Sequence, residues 1–291
     1  MNRSISESLR STVYLDLESD RKQIFKINAS TRKSNVELAN EFGICSKLEI
    51  PNIQKSIKSG RFLNKDAYYY EFFEGVRLKD YLKEHVLNEI QFYKLSQQIA
   101  ETISKIHIHD ILHLRINSNN ILIKPENLQS YIIDFSLASI NKNPKPIVFD
   151  DWGNELAYMA PEQSGHLNKQ IDIRTDLYSL GIVLFEIWCG RTPFISDNAA
   201  EMVHHHLVDS IPNIKNFRND TPYSIRLIIE KLLKKNPESR YQSAEGLVKD
   251  LNECYNKVIS GNENKNFVPG KGDRNTSLSI SARLYGRESE L

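Results

Sequence analysis

Between residues 106 and 140 the chain reads IHIHDILHLRINSNNILIKPENLQSYIIDFSLASI. Two short apolar runs, 120–123 and 131–134, have the composition of strands, and a polar turn joins them. His113 precedes the first run, Asn120 opens it and Asp134 ends the second, so acceptor-bearing side chains gather at the strand ends. Arg115 breaks that pattern. A guanidinium stays protonated and offers donors only, so it cannot take up a proton from a neighbour.

The elements that must hold these residues follow from periodicity. Segments 12–16 and 23–27 alternate and are rich in β-branched or aromatic residues, with a polar turn between them, which predicts a hairpin. Residues 34–48 place Val36, Ala39, Phe42 and Leu48 near helical spacing, with Ser34 as N-cap. Strands are expected at 53–57 and 67–73. Helices are expected at 77–84, 89–109, 176–189, 199–209, 224–234 and 243–259. A small strand-rich part followed by a larger helical part is an α+β arrangement of two lobes, 1–73 and 74–259. Residues 260–283 are polar and rich in Gly and Asn, as in a flexible linker.

Composition excludes several classes. A net charge of +1 gives no electrostatic reason to expect nucleic acid or an anionic membrane as partner. The longest apolar run, 180–189, is too short to span a bilayer and contains Glu186. The N-terminus is polar, unlike a signal peptide. Cys45, Cys189 and Cys254 are far apart and odd in number, which fits thiols in a reducing, cytoplasmic setting. His204, His205 and His206 are consecutive on a helix and point in different directions, so they read as a solvated face, not a metal site. The aromatic run 68–73 reads as strand core.

Over roughly residues 5–258 the chain resembles the eukaryotic-type Ser/Thr protein kinases, through motifs in the family's order. Lys26, in IFKI, matches the lysine that contacts the phosphates of ATP, and Glu41 the helix glutamate that pairs with it. Such pairing orients the lysine and keeps it cationic where phosphate binds. Val13 and Leu122 match residues lining the adenine pocket, and Glu71 lies where the hinge offers backbone hydrogen bonds to adenine. His113 matches the catalytic-loop histidine. Asn120 and Asp134, in DFS, match the Mg²⁺ ligands. YMAPEQ at 158–163 matches the end of the activation loop. Asp176, in DLYSLG, matches the aspartate that anchors the catalytic loop, and Arg240 the arginine that pairs with Glu162. The resemblance implies a bilobal kinase-like fold with ATP and Mg²⁺ as cofactors. It is strongest to kinase-like domains that open multidomain proteins carrying an AAA-type ATPase and sensor histidine kinase modules. LYGRESEL at 284–291 resembles the opening of such an ATPase domain, which implies as partner the rest of its own polypeptide, or another signalling protein.

Departures from the family pattern set a second expectation. Arg115 stands where kinases carry the aspartate base and Asn117 where they carry a cationic lysine. Ser6, Ser8 and Ser11 replace the three glycines of the phosphate-covering loop, and a Cβ there hinders backbone approach. Ile24 narrows the adenine pocket. Leu114 replaces the arginine that clamps a phosphorylated loop, and residues 140–157 contain no Ser, Thr or Tyr. Glu155 stands where a threonine bonds the catalytic aspartate, so Arg115 and Glu155 are expected to form an ion pair. The expectation is a pseudokinase serving as a regulatory or interaction module; the alternative is an active Ser/Thr kinase lacking the usual base.

Overall fold

The computed structural model describes residues 3–7, 11–16, 22–29, 32–140, 144, 153–167, 169–262 and 266–273. The N-terminal lobe is a five-stranded antiparallel sheet, β1 (Arg3–Glu7), β2 (Ser11–Asp16), β3 (Gln23–Asn28), β4 (Ser56–Phe62) and β5 (Lys65–Glu71), in the order β1-β2-β3-β5-β4. Helix α1 (Arg32–Cys45) crosses between β3 and β4. Strand alternation sorts β3 into two faces. Phe25 packs with Tyr14, Phe62 and Tyr69 on the outer face, ring centroids 4.8–5.1 Å apart. Ile24 and Lys26 turn inward, and Val13 pairs with Lys26 across β2–β3.

Two sequence expectations in this lobe need correction. Strand β4 spans Ser56–Phe62 and not 53–57. It is a mostly exposed, polar edge strand, so it lacks an apolar signature. Pairing with β5 through a Leu63-Asn64 turn, both residues at positive φ (49° and 62°), is what makes it a strand. On α1, Val36 is 65 % exposed, whereas Glu37, Leu38, Glu41 and Ile44 are buried. The helix is turned to present Glu41 to Lys26 among Leu38, Ile44 and Cys45, so its inner face combines an ion pair with apolar residues, and of the expected positions Phe42 and Leu48 do pack on the core.

The C-terminal lobe holds β6 (Val76–Arg77), α2 (Leu78–Glu84), α3 (Glu89–Ile108), β7 (Ile121–Lys124), β8 (Gln129–Ile132), α4 (Ile173–Cys189), α5 (Ala199–Leu207), α6 (Tyr223–Leu232) and α7 (Ala244–Ile259). Helix α3 opens on a reciprocal Asn88–Gln91 capping box. α4 is buried on all sides from Thr175 to Trp188, which is why its sequence is apolar all round. It ends at Gly190 in the left-handed conformation (φ 74°). The α+β arrangement of a sheet lobe followed by a helical lobe is as the sequence indicates.

Part of the stretch expected as a linker is packed. Phe267 is 4 % exposed and joins the main core. The Gly270 amide donates to Asp250 Oδ2 at 2.6 Å. Asp273 accepts from Ser243 Oγ (2.9 Å) and the Gln242 amide at the start of α7, where a carboxylate is favoured. Ser8 and the 284–291 segment lie outside the described residues. The three histidines are also not one solvated face: His206 is fully buried, its Nδ1 3.0 Å from the Tyr178 hydroxyl.

Candidate active site

A cleft of about 550 Å³ lies between the lobes. Val13, Ile24 and Leu122 form apolar walls, and Lys26, Glu41, Glu71, Arg115, Asn120, Asp134 and Glu155 supply polar ones. The structure thus brings together the site residues expected from the sequence, Asn117 excepted. Asn117 turns away from the cleft and holds the loop backbone, accepting from the amides of Asn119 (2.9 Å) and Asn120 (3.1 Å). Asn120 likewise uses its Nδ2 on the Arg115 carbonyl at 3.0 Å. Glu71 lies at the hinge as expected, but its amide N–H already donates to Lys55 O at 3.0 Å.

Lys26 Nζ donates to Glu41 Oε1 at 2.7 Å in a buried ion pair. Burial disfavours the charge on Lys26, but Glu41 and Asp134 outweigh it and raise its pKa above the ordinary lysine value. The lysine is therefore cationic.

Arg115 is the hub of the site. Its Nε and Nη2 donate to Glu155 Oε2 and Oε1 at 2.8 and 2.6 Å, a two-pronged pair. Its Nη1 donates to Asp134 Oδ2 at 2.7 Å and to Ser136 Oγ at 2.9 Å. The side chain is 9 % exposed. Burial opposes its charge, but Asp134 and Glu155 more than offset this. Burial likewise opposes ionisation of Asp134, yet Arg115 and Lys26 hold its carboxyl below the usual carboxylate range. The Arg115–Glu155 pair was legible in the sequence; the second arm, to Asp134 and Ser136, was not.

The backbone beside these groups is held in costly conformations. Leu114 (φ 60°) and Asp134 (φ 68°) are non-glycine residues in the left-handed region, each at a cost of about 1 kcal/mol or more. Asp176 fixes the first, accepting from the amides of His113 (2.8 Å) and Leu114 (2.7 Å), while Gln163 Nε2 donates to the Leu114 carbonyl (3.1 Å). His107 Nε2 lies 2.9 Å from the same Asp176 carboxylate. The Glu162–Arg240 pair is buried and two-pronged at 2.7 and 2.9 Å.

The protein kinase domain family matches residues 8–251 of the chain. The chain belongs to the protein kinase family. Serine/threonine-protein kinase PrkC of Bacillus subtilis is 31% identical over 215 residues, covering 72% of this chain and 32% of that protein. A probable serine/threonine-protein kinase of Clostridium acetobutylicum is 26% identical over 226 residues, 77% of this chain and 34% of its own length. The peroxide stress-activated histidine kinase mak3 of Schizosaccharomyces pombe is 23% identical over 297 residues, 95% of this chain and 12% of its own length. The chain therefore spans about a third of the two bacterial relatives and about an eighth of the yeast one.

Protein kinases use ATP and Mg²⁺. In this kinase domain the Lys26–Glu41 pair fits a phosphate-binding lysine. Asp134 does not fit a magnesium ligand as placed. Its Oδ2 receives a guanidinium N–H and its Oδ1 the Ser136 amide at 3.3 Å, and a dication beside Arg115 would meet like charge.

Sequence reading missed Gln54, whose Oε1 accepts from the Asp134 amide (3.2 Å) and Lys26 Nζ (3.4 Å). It also missed Asn40, whose Nδ2 donates to the carbonyls of Ser136 (3.2 Å) and Ala138 (2.9 Å). Ser136 itself carried a signal, being the residue where the family motif has glycine.

Proposed function

We propose that this kinase domain is a pseudokinase, a regulatory module of a larger signalling protein in which phosphotransfer is weak or absent. The carrying observation is the Arg115 guanidinium, bonded at once to Asp134 and Glu155. In the base position it accepts no proton, so a substrate hydroxyl is neither deprotonated nor aimed there. It ties the DFS segment to residue 155 across the place where an acceptor peptide would lie. Asn117, turned into the loop, supplies no cation for a transferring phosphoryl group. Purified protein with labelled ATP, Mg²⁺ and a generic protein acceptor should give no transfer above an Asp134→Ala control. Transfer clearly above that control refutes the reading.

One observation favours the second reading, an active Ser/Thr kinase without the usual base. Lys26 and Glu41 are paired at 2.7 Å, so the phosphate-positioning part of the machinery is intact. The same assay decides between the two. As partner we propose the ATPase and sensor domains of its own polypeptide, in the cytoplasm. Support comes from the yeast histidine kinase, which aligns with 95% of this chain within 12% of its own length. Sequencing the locus past Leu291 tests this: a P-loop a few dozen residues on is expected, and an immediate stop codon refutes it.

A further inference from the structure

Residues 266–273 run back along α7, from the level of Asp250 in mid-helix to Ser243 at its N-cap. Phe267 anchors the run in the main core. Gly270 sits in the left-handed region (φ 77°) with its amide on Asp250 Oδ2, which also accepts from the Tyr241 hydroxyl at 2.6 Å. A turn closed by the Asp273 amide on the Gly270 carbonyl (3.2 Å) then aims the Asp273 carboxylate at the first turn of α7. Gly246, in that turn, makes room for it, since a Cβ there would overlap the carboxylate. The run is built to hold one place, and residue 274 onward starts from the first turn of α7, not from its end.

From Asp273 a continuous set of hydrogen bonds leads to the loop that carries Arg115. Gln242, whose amide donates to Asp273, accepts from Arg174 Nη1 at 3.0 Å and donates from Nε2 to the Arg240 carbonyl at 2.9 Å. The Arg174 guanidinium donates in turn to Asp172, the N-cap of α4, at 2.6–3.1 Å. Asp176, in the first turn of α4, holds the His113 and Leu114 amides next to Arg115.

We infer that residues 266–273 are a clasp through which the chain beyond residue 273 acts on this domain. Docked, Asp273 holds Gln242 and, through Arg174 and α4, the loop that positions Arg115; displaced, it frees that loop. Coupling over such a distance needs a packed network with one element in two arrangements, and the clasp is that element. The inference rests on the reading of the domain as a regulatory module of a larger protein. Nuclear magnetic resonance of the 291-residue chain tests it, with phosphoryl transfer measured on the same preparations. In Asp273→Ala the amides of 242–246 exchange about tenfold or more faster. The Leu114 amide and Arg115 Nε–H signals shift or broaden, while those of β3 and β5 stay in place. Gly246→Ala, which displaces the carboxylate while favouring the helix, gives the same response. Gln242→Leu removes the relaying side chain but keeps the amide, and in that background Asp273→Ala no longer moves the Arg115 signal. Unmoved Leu114 and Arg115 signals in either single variant overturn the inference, as does a full response in the Gln242→Leu background. An equal response in β3 and β5 also overturns it, because it marks a global loss of stability. Any of these results without phosphoryl transfer leaves the proposed function standing. Transfer above the Asp134→Ala control overturns that function and, with it, the reading on which the clasp's regulatory role rests.

Discussion

At Arg115 a single side chain uses its fork on three residues from two segments: Glu155 on one side, Asp134 and Ser136 on the other. The arrangement needs guanidinium. Lysine has the charge but not the planar set of donors, so Arg115→Lys cannot serve both carboxylates in the same geometry. Arg115→Ala leaves Asp134 and Glu155, each 20 % exposed, without their shared cation. We expect that variant to lose about 3 kcal/mol, the low end of what unpairing a buried ion pair costs, because both carboxylates keep some access to water. Arg115→Lys should fall between it and the wild type. Urea denaturation measures the three; an Arg115→Ala midpoint equal to the wild type would mean that the fork contributes nothing to stability. Half of this site could be read from residue types, since Arg115 and Glu155 are an oppositely charged pair at positions that touch in the family. The other half required coordinates. Whether the Arg115 Nη1 reaches Asp134 depends on a backbone path through two residues at positive φ, which no local pattern encodes.

Among the elements, α1 and the DFS segment are coupled by one side chain. Asn40 Nδ2 reaches two carbonyls, those of Ser136 and Ala138, and the neighbouring Glu41 faces Lys26. The helix thus holds the segment from one side while Arg115 holds it from the other. Asn40→Ala removes two hydrogen bonds, worth about 1–3 kcal/mol together. The loss should be local, appearing as faster amide exchange at residues 136–139 with little change in the exchange of α4. Uniform acceleration through α4 would show that the segment is not a separate unit. The long helices of the C-terminal lobe were legible because burial and amphipathicity leave strong periods; α3 and α7 match their expected ranges to within one residue. Strand β4 and the inner face of α1 were not. The first is held by cross-strand pairing alone, and the second is set in part by a distant lysine. In both, a tertiary partner decides what the local sequence leaves open.

For the molecule as a whole, acid should be the destabilising direction, and the signs can be worked out. His206 is buried, its proton affinity lowered to a pKa of about 3 first by burial and then by Lys235, whose Nζ donates to the His206 carbonyl at 2.9 Å. Tyr178 and Phe194 face the ring, and His205 adds a further unfavourable charge when protonated. Unfolded histidine binds a proton near its ordinary value of 6.5, so between these values the unfolded state holds more protons and stability rises with pH. At about 1.4 kcal/mol per tenfold change in proton affinity, the effect is on the order of 5 kcal/mol, complete above about pH 6.5 and lost as pH falls toward 3. Asp134, held low by Arg115 and Lys26 against burial, adds in the same sense below about pH 4, where unfolded aspartate begins to protonate. Glu186, pushed up by burial, works the other way over the ordinary carboxylate range, so the steepest net loss should lie between about pH 6.5 and 5, before the carboxylates titrate. Lys235, its pKa lowered to about 8 by burial, gives a second rise in stability from about pH 8 upward, since the folded state releases that proton first. Urea midpoints from pH 4 to 9 measure both limbs. His206→Asn, which cannot titrate, should flatten the limb between pH 6.5 and 5 while leaving the alkaline limb in place. An unchanged acid limb in that variant would remove His206 as its source and leave His113, whose proton affinity is also lowered by burial, to account for it.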